Sequence, residues 1–518
     1  MIKNEIIFLQ EPVLTFGYNQ TTIDPRDGLA LFGPHQPLAP YSIRAGVIGT
    51  DTGISDYSGF VEQMNKPILS TQTKYKVKKS LERKRPSFPG FEAAFNVRWP
   101  AKPEVRVEIS LQEIQECLKN KNKIIRTNGL VDIFLNKIKD FKNKEDEKLD
   151  IWFIVIPIQI YNACKPGSWG KDIGKGTEKY AEMTKAGQIS LGFSEYADYD
   201  EQLARILDTV TDFHHLMKAR LIQEKITIPV QLIVDRTLRF RNKDTNIRYD
   251  EYLKANLAWT QSTTLYYKLG KLPWKLGDIR ESVCYLGLVF KKLPNEKEKN
   301  VCSAAQMFLK DGDGSVFRGN IGLWESEKPY DFHLDADSSE ELIGMAHDDY
   351  NEKWGKFPNE MFIHAKTFFN DTEWNGFTTA ITKRNAVTNL VGILIKDLDD
   401  LKLYRQPKDK VGNYGVLRGT AFIVDEKEGY LCTKGFIPRL NSSNSIEMPR
   451  NLRVKIIRGE SDIQIVLKDI LALTKLNYNS CIYGDGVPVT LKFSNKIGSI
   501  LTSIPEWKVD TRQFMYYI

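Results

Sequence analysis

The sequence predicts an α/β protein in two successive layers, a Rossmann-like one over residues 1–275 and an RNase H-like one over residues 276–518. Three observations predict it. Residues 151–160 and 226–232 are almost wholly apolar, as strands buried on both faces of a parallel sheet must be. Helix-periodic segments alternate with these runs, the order of a strand–helix–strand layer. From residue 283 the order changes to consecutive strands joined by a tight turn, then helix, strand, and further strands and helices, which suits an RNase H-like layer. At 518 residues the chain is long enough to bury two such cores.

Taken in order, residues 6–16 read as short extended segments broken by Pro12, and Asp24-Pro-Arg-Asp-Gly28 as a turn. Residues 42–49 form a buried strand and 55–65 a helix. A strand at 105–109 leads into a helix opened by Ser110, with Glu113 placed to complete a capping box, and 131–141 is a second helix. The charged run 142–148 is a solvated linker, and the polar, Gly-rich residues 165–192 are a long loop or insertion. A helix over 199–225, the strand 226–232 and a helix over 249–267 ending at Gly270 complete the first layer. The second layer opens with strands at 283–291, 301–310 and 316–319, the last two a hairpin about Asp311-Gly-Asp-Gly314. Residues 338–354 are a helix begun by Ser338, with Glu340 and Glu341 in its first turn. A strand at 360–364, a helix at 371–379, strands at 390–395, 419–424 and 452–457, and an apolar-periodic helix at 461–473 follow. The end, Phe514-Met-Tyr-Tyr-Ile518, is too apolar to fray in water and should dock inside the protein.

The formal net charge of +7 permits a polyanionic partner without requiring one. Lys74, Lys76, Lys78, Lys79, Arg83, Lys84 and Arg85 crowd around Tyr75, a segment that suits either a solvated loop or a nucleic-acid backbone contact. The six cysteines have neither paired spacing nor histidine companions, so they make no disulfide framework or zinc site and suit a reducing cytosol. No apolar run is long enough to span a bilayer and the opening residues are no secretory signal, so a cytoplasmic protein is expected.

The chemistry concentrates in residues 199–268. Leu203, Leu207, Val210, Met217 and Leu221 share a helix face, and the position that should continue the stripe is His214. Lys218 lies one turn on, so the imidazole and the ammonium are neighbours at the edge of an apolar face. Such a pair could seat a phosphate with a base stacked above it. By themselves these two residues read first as a half-buried histidine beside a snorkelling lysine. Gln231, in the next strand, could donate its amide to a phosphate oxygen, and Lys268 closes the next helix. Four groups on consecutive elements of one layer can converge on a single terminal phosphate.

In that order and spacing the chain resembles the prokaryotic Argonautes, specifically the short ones made only of MID and PIWI domains. Further runs carry the resemblance: Asp24 to Pro34 (DPRDGLALFGP), Cys284 to Val289 (CYLGLV), Phe362 to Asp371 (FIHAKTFFND) and Asp469 to Cys481 (DILALTKLNYNSC). The resemblance implies a MID domain over residues 1–275 and a PIWI domain over 276–518. It implies that His214, Lys218, Gln231 and Lys268 hold the 5′ phosphate of a guide strand. It also implies that the carboxylate of Ile518 helps to hold a Mg²⁺ between guide phosphates, which would explain so apolar a tail.

Cleaving members of that family need strand carboxylates for two metal ions. The matching positions here are Val289, after Gly287-Leu, and Ala365, after Phe362-Ile-His. The segment 487–492 offers no last ligand, although Asp485 lies just before it. No nuclease is therefore expected, with displaced ligands such as Asp335 or Asp371 as the alternative. The runs FPGFEAAF, YYKLGKLPWKLGDIR and CYLGLVFKK are most similar to the group that works with a TIR-APAZ protein encoded alongside. In that group a guide RNA and a complementary single-stranded target DNA trigger oligomerisation and NAD(P)⁺ hydrolysis by the partner, arresting the invaded cell. A sirtuin-APAZ or nuclease-APAZ partner is the alternative. No glycine fingerprint for a dinucleotide follows a strand in this chain.

Overall fold

The computed structural model describes residues 4–39, 41–70, 86–120, 123–144, 148–165, 212–277, 280–292, 300–308, 314–318, 333–398, 400–406, 415–443, 450–501, 503 and 512–518. The basic segment 74–85, residues 166–211 and the turn at 311–313 lie outside these. So do Leu203, Leu207 and Val210 of the expected helical stripe.

The chain opens with strand β1 (Glu5–Phe8). The expected turn at 24–28 is instead the start of helix α1 (Pro25–Phe32). Asp24 caps it by accepting the Arg26 N–H at 3.0 Å, and Pro25 occupies the first turn, where its missing N–H costs nothing. Gly28 is tolerated within it because the Phe16 ring lies where a Cβ would be, with its nearest atom at 2.2 Å.

The first sheet holds β2 (Ala45–Gly49), β3 (Val105–Glu108), β4 (Ile151–Ile156) and β5 (Val230–Val234), all parallel, in the order β3-β2-β4-β5. Its helices are α2 (Asp51–Met64), α3 (Leu111–Leu118), α4 (Lys123–Lys144), α5 (Ile158–Cys164), α6 (Phe213–Gln223) and α7 (Glu251–Lys268). The all-apolar β4 is explained by its two faces. Ile151, Phe153 and Val155 pack with α2 and α7, while Trp152, Ile154 and Ile156 pack with α3, α4 and α6. β4 is shorter than the expected 151–160, because Pro157 ends it and leads directly into α5. Ser110 caps α3 through the Gln112 N–H, without the Glu113 half of a capping box.

The second sheet has ten strands. Its long members are β6 (Val283–Lys292), β7 (Asn300–Phe308), β8 (Gly314–Arg318), β9 (Glu360–Ala365), β10 (Asn389–Leu398), β11 (Thr420–Ile423), β12 (Glu428–Leu431) and β13 (Asn451–Arg458). The order is β1-β11-β12-β13-β10-β9-β6-β7-β8, closed by the short pair Arg512–Gln513. β9 runs parallel to β6 and β10, and the remaining pairs are antiparallel, as an RNase H-like mixed sheet requires. Helices α8 (Ala336–Trp354) and α9 (Asp371–Thr382) cover one face, and α10 (Ile463–Leu473) and α11 (Val489–Leu501) the other. Asp335, not Ser338, caps α8, accepting the Ser338 N–H at 2.7 Å. The first strand, β1, joins this second sheet, so the chain threads from one layer into the other at its start. α11 lies so close on β6 that a Cβ on Gly287 would stand 2.2 Å from the Thr490 carbonyl oxygen; only glycine fits.

Candidate phosphate-binding site

β5 is the edge of the parallel sheet, with α6 on one face and α7 on the other. An edge strand presents main-chain groups without a ladder partner, and both helices send a lysine round to them. Lys218 donates to the Val230 carbonyl oxygen at 2.6 Å, and Lys268 donates to the same oxygen at 2.9 Å. Two ammonium groups thus meet on one acceptor. Lys268 also donates to Gln231 Oε1 at 2.7 Å, which turns the Gln231 amide nitrogen toward Gln261 Oε1 at 3.3 Å. Lys218 donates its other described bond to the Ile518 main-chain oxygen at 2.9 Å. Lys218 and Lys268 are 1 % and 2 % exposed.

Each element is placed by local sequence. Asp212 caps α6, accepting the His215 N–H at 2.7 Å, which sets the phase that turns Lys218 inward. α7 ends at Lys268, and Gly270 takes the left-handed conformation (φ +79°) that lets the chain leave. The tail is pinned by Arg512–Gln513 pairing with β8 and by Tyr516, whose hydroxyl donates to the Thr227 carbonyl at 2.7 Å. Tyr517 and Ile518 are buried, as the apolar tail predicts.

Burial pushes the Lys218 ammonium down to about 8. Lys268 is pushed well below the usual lysine range by burial and then by Lys218 and Lys496. His214 lies one turn before Lys218 on α6, its surface open to water and its ring edge-on to His215 at 5.7 Å between centroids. The surrounding protein, then His215, Lys218, Lys268 and Lys496, push it downward, less strongly than they would a ring shut off from water. Because the ring still reaches water, the cations act on it through a partly screened path. A neutral imidazole keeps one donor, one acceptor and a flat face.

The four residues singled out in the sequence are therefore brought together, with Ile518 beside them. Lys496 was missed. It lies on α11 of the second layer, which packs on α6, and nothing in its local sequence ties it to the first layer. Its side chain is open to solvent; the protein packed around it and then Lys492 push its ammonium down, with Asp485 opposing. The assembly offers donors and positive charge to one compact anion.

The positions corresponding to nuclease ligands sit elsewhere. Ala365 ends β9 opposite Leu288 and shares its face, whereas Val289, the next residue of β6, lies on the other face with Gly287 and His364, so the two expected ligand positions do not converge on one site. Both are buried. His364 bonds Thr490 Oγ1 at 2.9 Å. The nearby acids are already engaged. Asp335 caps α8, Asp371 pairs with Arg458, Asp485 pairs with Lys492, and Glu373 completes the capping box of α9 while accepting the Leu334 N–H at 2.7 Å. Among the described residues no three His, Cys, Asp or Glu side chains are grouped to hold a metal ion. No described helix is long and apolar enough to cross a membrane.

No family model matches the sequence, and no curated protein matches it. Solved structures do. Clostridium butyricum Argonaute, bound to a guide DNA and a 19-mer target DNA, is 17 % identical at a TM-score of 0.62, over 99 % of this chain and 54 % of its own. Aquifex aeolicus Argonaute with externally bound siRNA is 14 % identical at 0.54, over 100 % and 56 %. Drosophila Piwi is 11 % identical at 0.55, over 99 % and 56 %. The chain thus has the Argonaute fold, that of a MID and a PIWI domain in series. It spans little more than half the length of the Argonaute and Piwi chains that it matches.

Proposed function

We propose that this chain is the guide-binding, non-cleaving subunit of a prokaryotic defence complex. The observation that carries the reading is the meeting of the Lys218 and Lys268 ammoniums on the Val230 carbonyl oxygen, with no Asp or Glu side chain among the described residues bonded to either. Like charges gathered away from water are unfavourable until an anion joins them. A terminal phosphate carries roughly two negative charges near neutral pH and three acceptor oxygens, which matches the donors of Lys218, Lys268 and Gln231. His214 adds a ring N–H donor and a flat face for the first base. The Ile518 carboxylate is the anionic group placed beside the pocket, and one carboxylate is too few for the octahedral shell of Mg²⁺. The ion would be shared with guide phosphates and water, neutralising the charge between neighbouring phosphates; Lys218 fixes the Ile518 oxygen toward it.

A 5′-phosphorylated guide RNA held there reads a complementary single-stranded DNA by base pairing, the protein contributing backbone and shape contacts. Val289 is apolar where the resemblance calls for the first metal-binding carboxylate, and the acids near β9 are engaged in caps and ion pairs, which supports recognition without cutting. The response then comes from a partner, a TIR-APAZ protein whose NAD(P)⁺ hydrolysis follows oligomerisation on target binding.

Affinity for a 5′-phosphorylated RNA should exceed that for the 5′-hydroxyl RNA by about a hundredfold or more, since charge-assisted bonds contribute about 1.5–3 kcal/mol each. Equal affinities would remove the guide reading. A labelled complementary DNA should stay whole when the loaded chain is given Mg²⁺ or Mn²⁺; a defined cut would overturn the non-cleaving part alone. NAD(P)⁺ should disappear only when partner, guide and target are all present.

A further inference from the structure

Residues 235–248, which leave β5 at its carboxyl end, hold five cations, Arg236, Arg239, Arg241, Lys243 and Arg248, against the acids Asp235 and Asp244. The whole chain is nearly balanced, with 73 Lys and Arg against 66 Asp and Glu, so the excess is local. Both acids are already engaged. Asp235 accepts the Arg236 N–H at 2.7 Å and pairs with Arg239 at 3.4 Å, and Asp244 pairs with Lys165 at 3.2 Å. Arg239 also pairs with Asp56 of α2 at 2.8 Å. For Arg236, Arg241, Lys243 and Arg248, no Asp or Glu side chain among the described residues pairs with the charged group. The loop nevertheless holds these four together. Arg241 and Arg248 stand opposite each other in an antiparallel bridge, and the Asn242 N–H donates to the Ile247 carbonyl at 2.8 Å. The Asn242 side-chain oxygen accepts from the Asp244 and Thr245 N–H groups, each at 2.9 Å. Arg236 donates to the Lys243 carbonyl at 3.0 Å and Arg241 to the Asn246 carbonyl at 3.1 Å. A carbonyl fixes a guanidinium without cancelling its charge. Like charges directly opposite on paired strands are destabilising, yet here the pair is kept. The Lys243 ammonium lies 4.8 Å from the centre of the Tyr161 ring, which joins the hairpin to α5 at the same end of the adjoining strand β4. The carboxyl ends of the strands are where an open parallel sheet takes ligands. This end is not the phosphate pocket. Lys218 and Lys268 meet on Val230, the first residue of β5, and the hairpin begins beyond its last, about 13 Å along the strand.

We infer that the hairpin 236–248 is a second nucleic-acid contact, a surface for the phosphodiester backbone of a strand rather than for its end. Three of the four cations without a carboxylate are arginines, whose planar fork fits phosphate oxygens two at a time. Lys243 and Arg248 lie on an exposed turn. Charges spread in this way suit a row of single negative charges passing over them, not one enclosed dianion. Ile247, 67 % exposed between them, offers an apolar contact to a sugar or base. Because the loop's own bonds hold Arg236 and Arg241 in place, little freedom is lost when a backbone binds. The inference stands apart from the terminal-phosphate reading, which concerns the other end of β5.

The test compares the full chain with a Lys243→Gln, Arg248→Gln double variant, since neither side chain makes a hydrogen bond among the described residues. The probe is a long 5′-hydroxyl single-stranded DNA, which has no terminal phosphate to anchor. Its affinity should fall about tenfold, and the slope of log affinity against log salt should shrink by about 1.4, since each single-strand phosphate contact contributes about 0.7. The preference for 5′-phosphorylated over 5′-hydroxyl RNA should not change. Unchanged slope and affinity in the double variant overturn the surface. Arg241→Lys, which gives up the bond to Asn246 but keeps the charge, should retain the parent slope; a slope lost with the charge intact ascribes the effect to the hairpin's shape and overturns the charge-based contact. Poly-glutamate that binds the parent as tightly as the DNA, and loses affinity in the double variant, overturns the nucleic-acid partner in favour of an acidic polypeptide. Two strands can supply the backbone, and the loaded chain separates them. A loss seen already in loading of the RNA assigns the contact to the guide. A loss confined to target DNA extended past the guide's 5′ end assigns it to the target. Equal affinity of the parent for 5′-phosphorylated and 5′-hydroxyl RNA would remove the guide reading and leave the salt-slope test of the hairpin in force.

Discussion

Two clusters of buried lysine in this molecule are alike in burial and opposite in electrostatics. Lys475, 3 % exposed, is pushed down to about 8 by burial, as Lys218 is. Around Lys475, however, the structure supplies an anion. Glu11 accepts from it at 2.9 Å and pairs with Arg418 at 3.0 Å, the Ile23 carbonyl accepts at 2.7 Å, and the Tyr483 ring lies 3.9 Å from the ammonium. Lys218 and Lys268 have only a shared carbonyl, an amide and the Ile518 oxygen. One cluster is finished by the fold and ties the N-terminal segment to the second layer. The other is left cationic. A buried cation completed by a carboxylate side chain is architecture; two buried cations that share one carbonyl, with only the chain-terminal oxygen of Ile518 as an anionic neighbour, keep an excess of positive charge for an anion not in the chain.

The comparison can be broken from either side. Lys218→Met with Lys268→Met should cost guide binding the most, about two to four orders of magnitude in affinity for 5′-phosphorylated RNA. The unliganded chain should keep or raise its unfolding midpoint, because unpaired buried charge is replaced by apolar volume. A variant that unfolds and still binds the phosphorylated RNA would invert the assignment. Glu11→Gln should do the reverse. Breaking a buried pair costs about 3–5 kcal/mol, read as a lower denaturation midpoint, while guide affinity stays put. Lys496→Ala, one shell out from the pocket, should weaken phosphate binding about fivefold, on the order of 1 kcal/mol, with little change in stability.

The smallest expected effect is in pH, and its sign separates the clusters. In the unfolded chain Lys218 regains the ordinary value of 10.5, against about 8 when folded. Above about 8 the unfolded state therefore holds a proton the folded state lacks, so stability rises with pH through that window. Lys218→Met deletes this contribution. Its stability advantage over the parent should be largest near pH 7 and shrink between pH 8 and 10. For Glu11→Gln the opposite holds at the low end: loss of the carboxylate lowers Lys475 further, so its deficit should already narrow below pH 8. Calorimetric midpoints of the three chains across that range check both signs.

Much of the fold was legible because burial writes itself into apolar patterns. The strands at 283–292, 360–365 and 451–458 carry their signal locally, as does the helix closing at Lys268 before Gly270. Misreadings came where two local signals overlapped. Asp24-Pro25 reads equally as a turn or as a helix cap, and the chain context chose the cap. Ile158 and Ile160 are as apolar as the strand before them, and only Pro157 divides strand from helix. In the site, His214 and Lys218 were legible as helical neighbours, and Gln231 as a polar residue within an apolar strand. Lys496 was not, since a lysine on an amphipathic helix looks the same whether it faces water or a pocket.

Residue identity alone determined that the Val289 and Ala365 side chains offer no ligand atom, since neither carries a donor. It also settled the i,i+4 pairing of His214 with Lys218, which follows from helical geometry. Which lysines would share an oxygen was decided only in three dimensions. α6 and α7 flank opposite faces of an edge strand whose free carbonyl both can reach, and the tail brings Ile518 across a separation of 300 residues to Lys218. The physical reason is that the charge state of a buried cation depends on everything packed within a few ångströms of it, and neighbours in space are not neighbours along the chain.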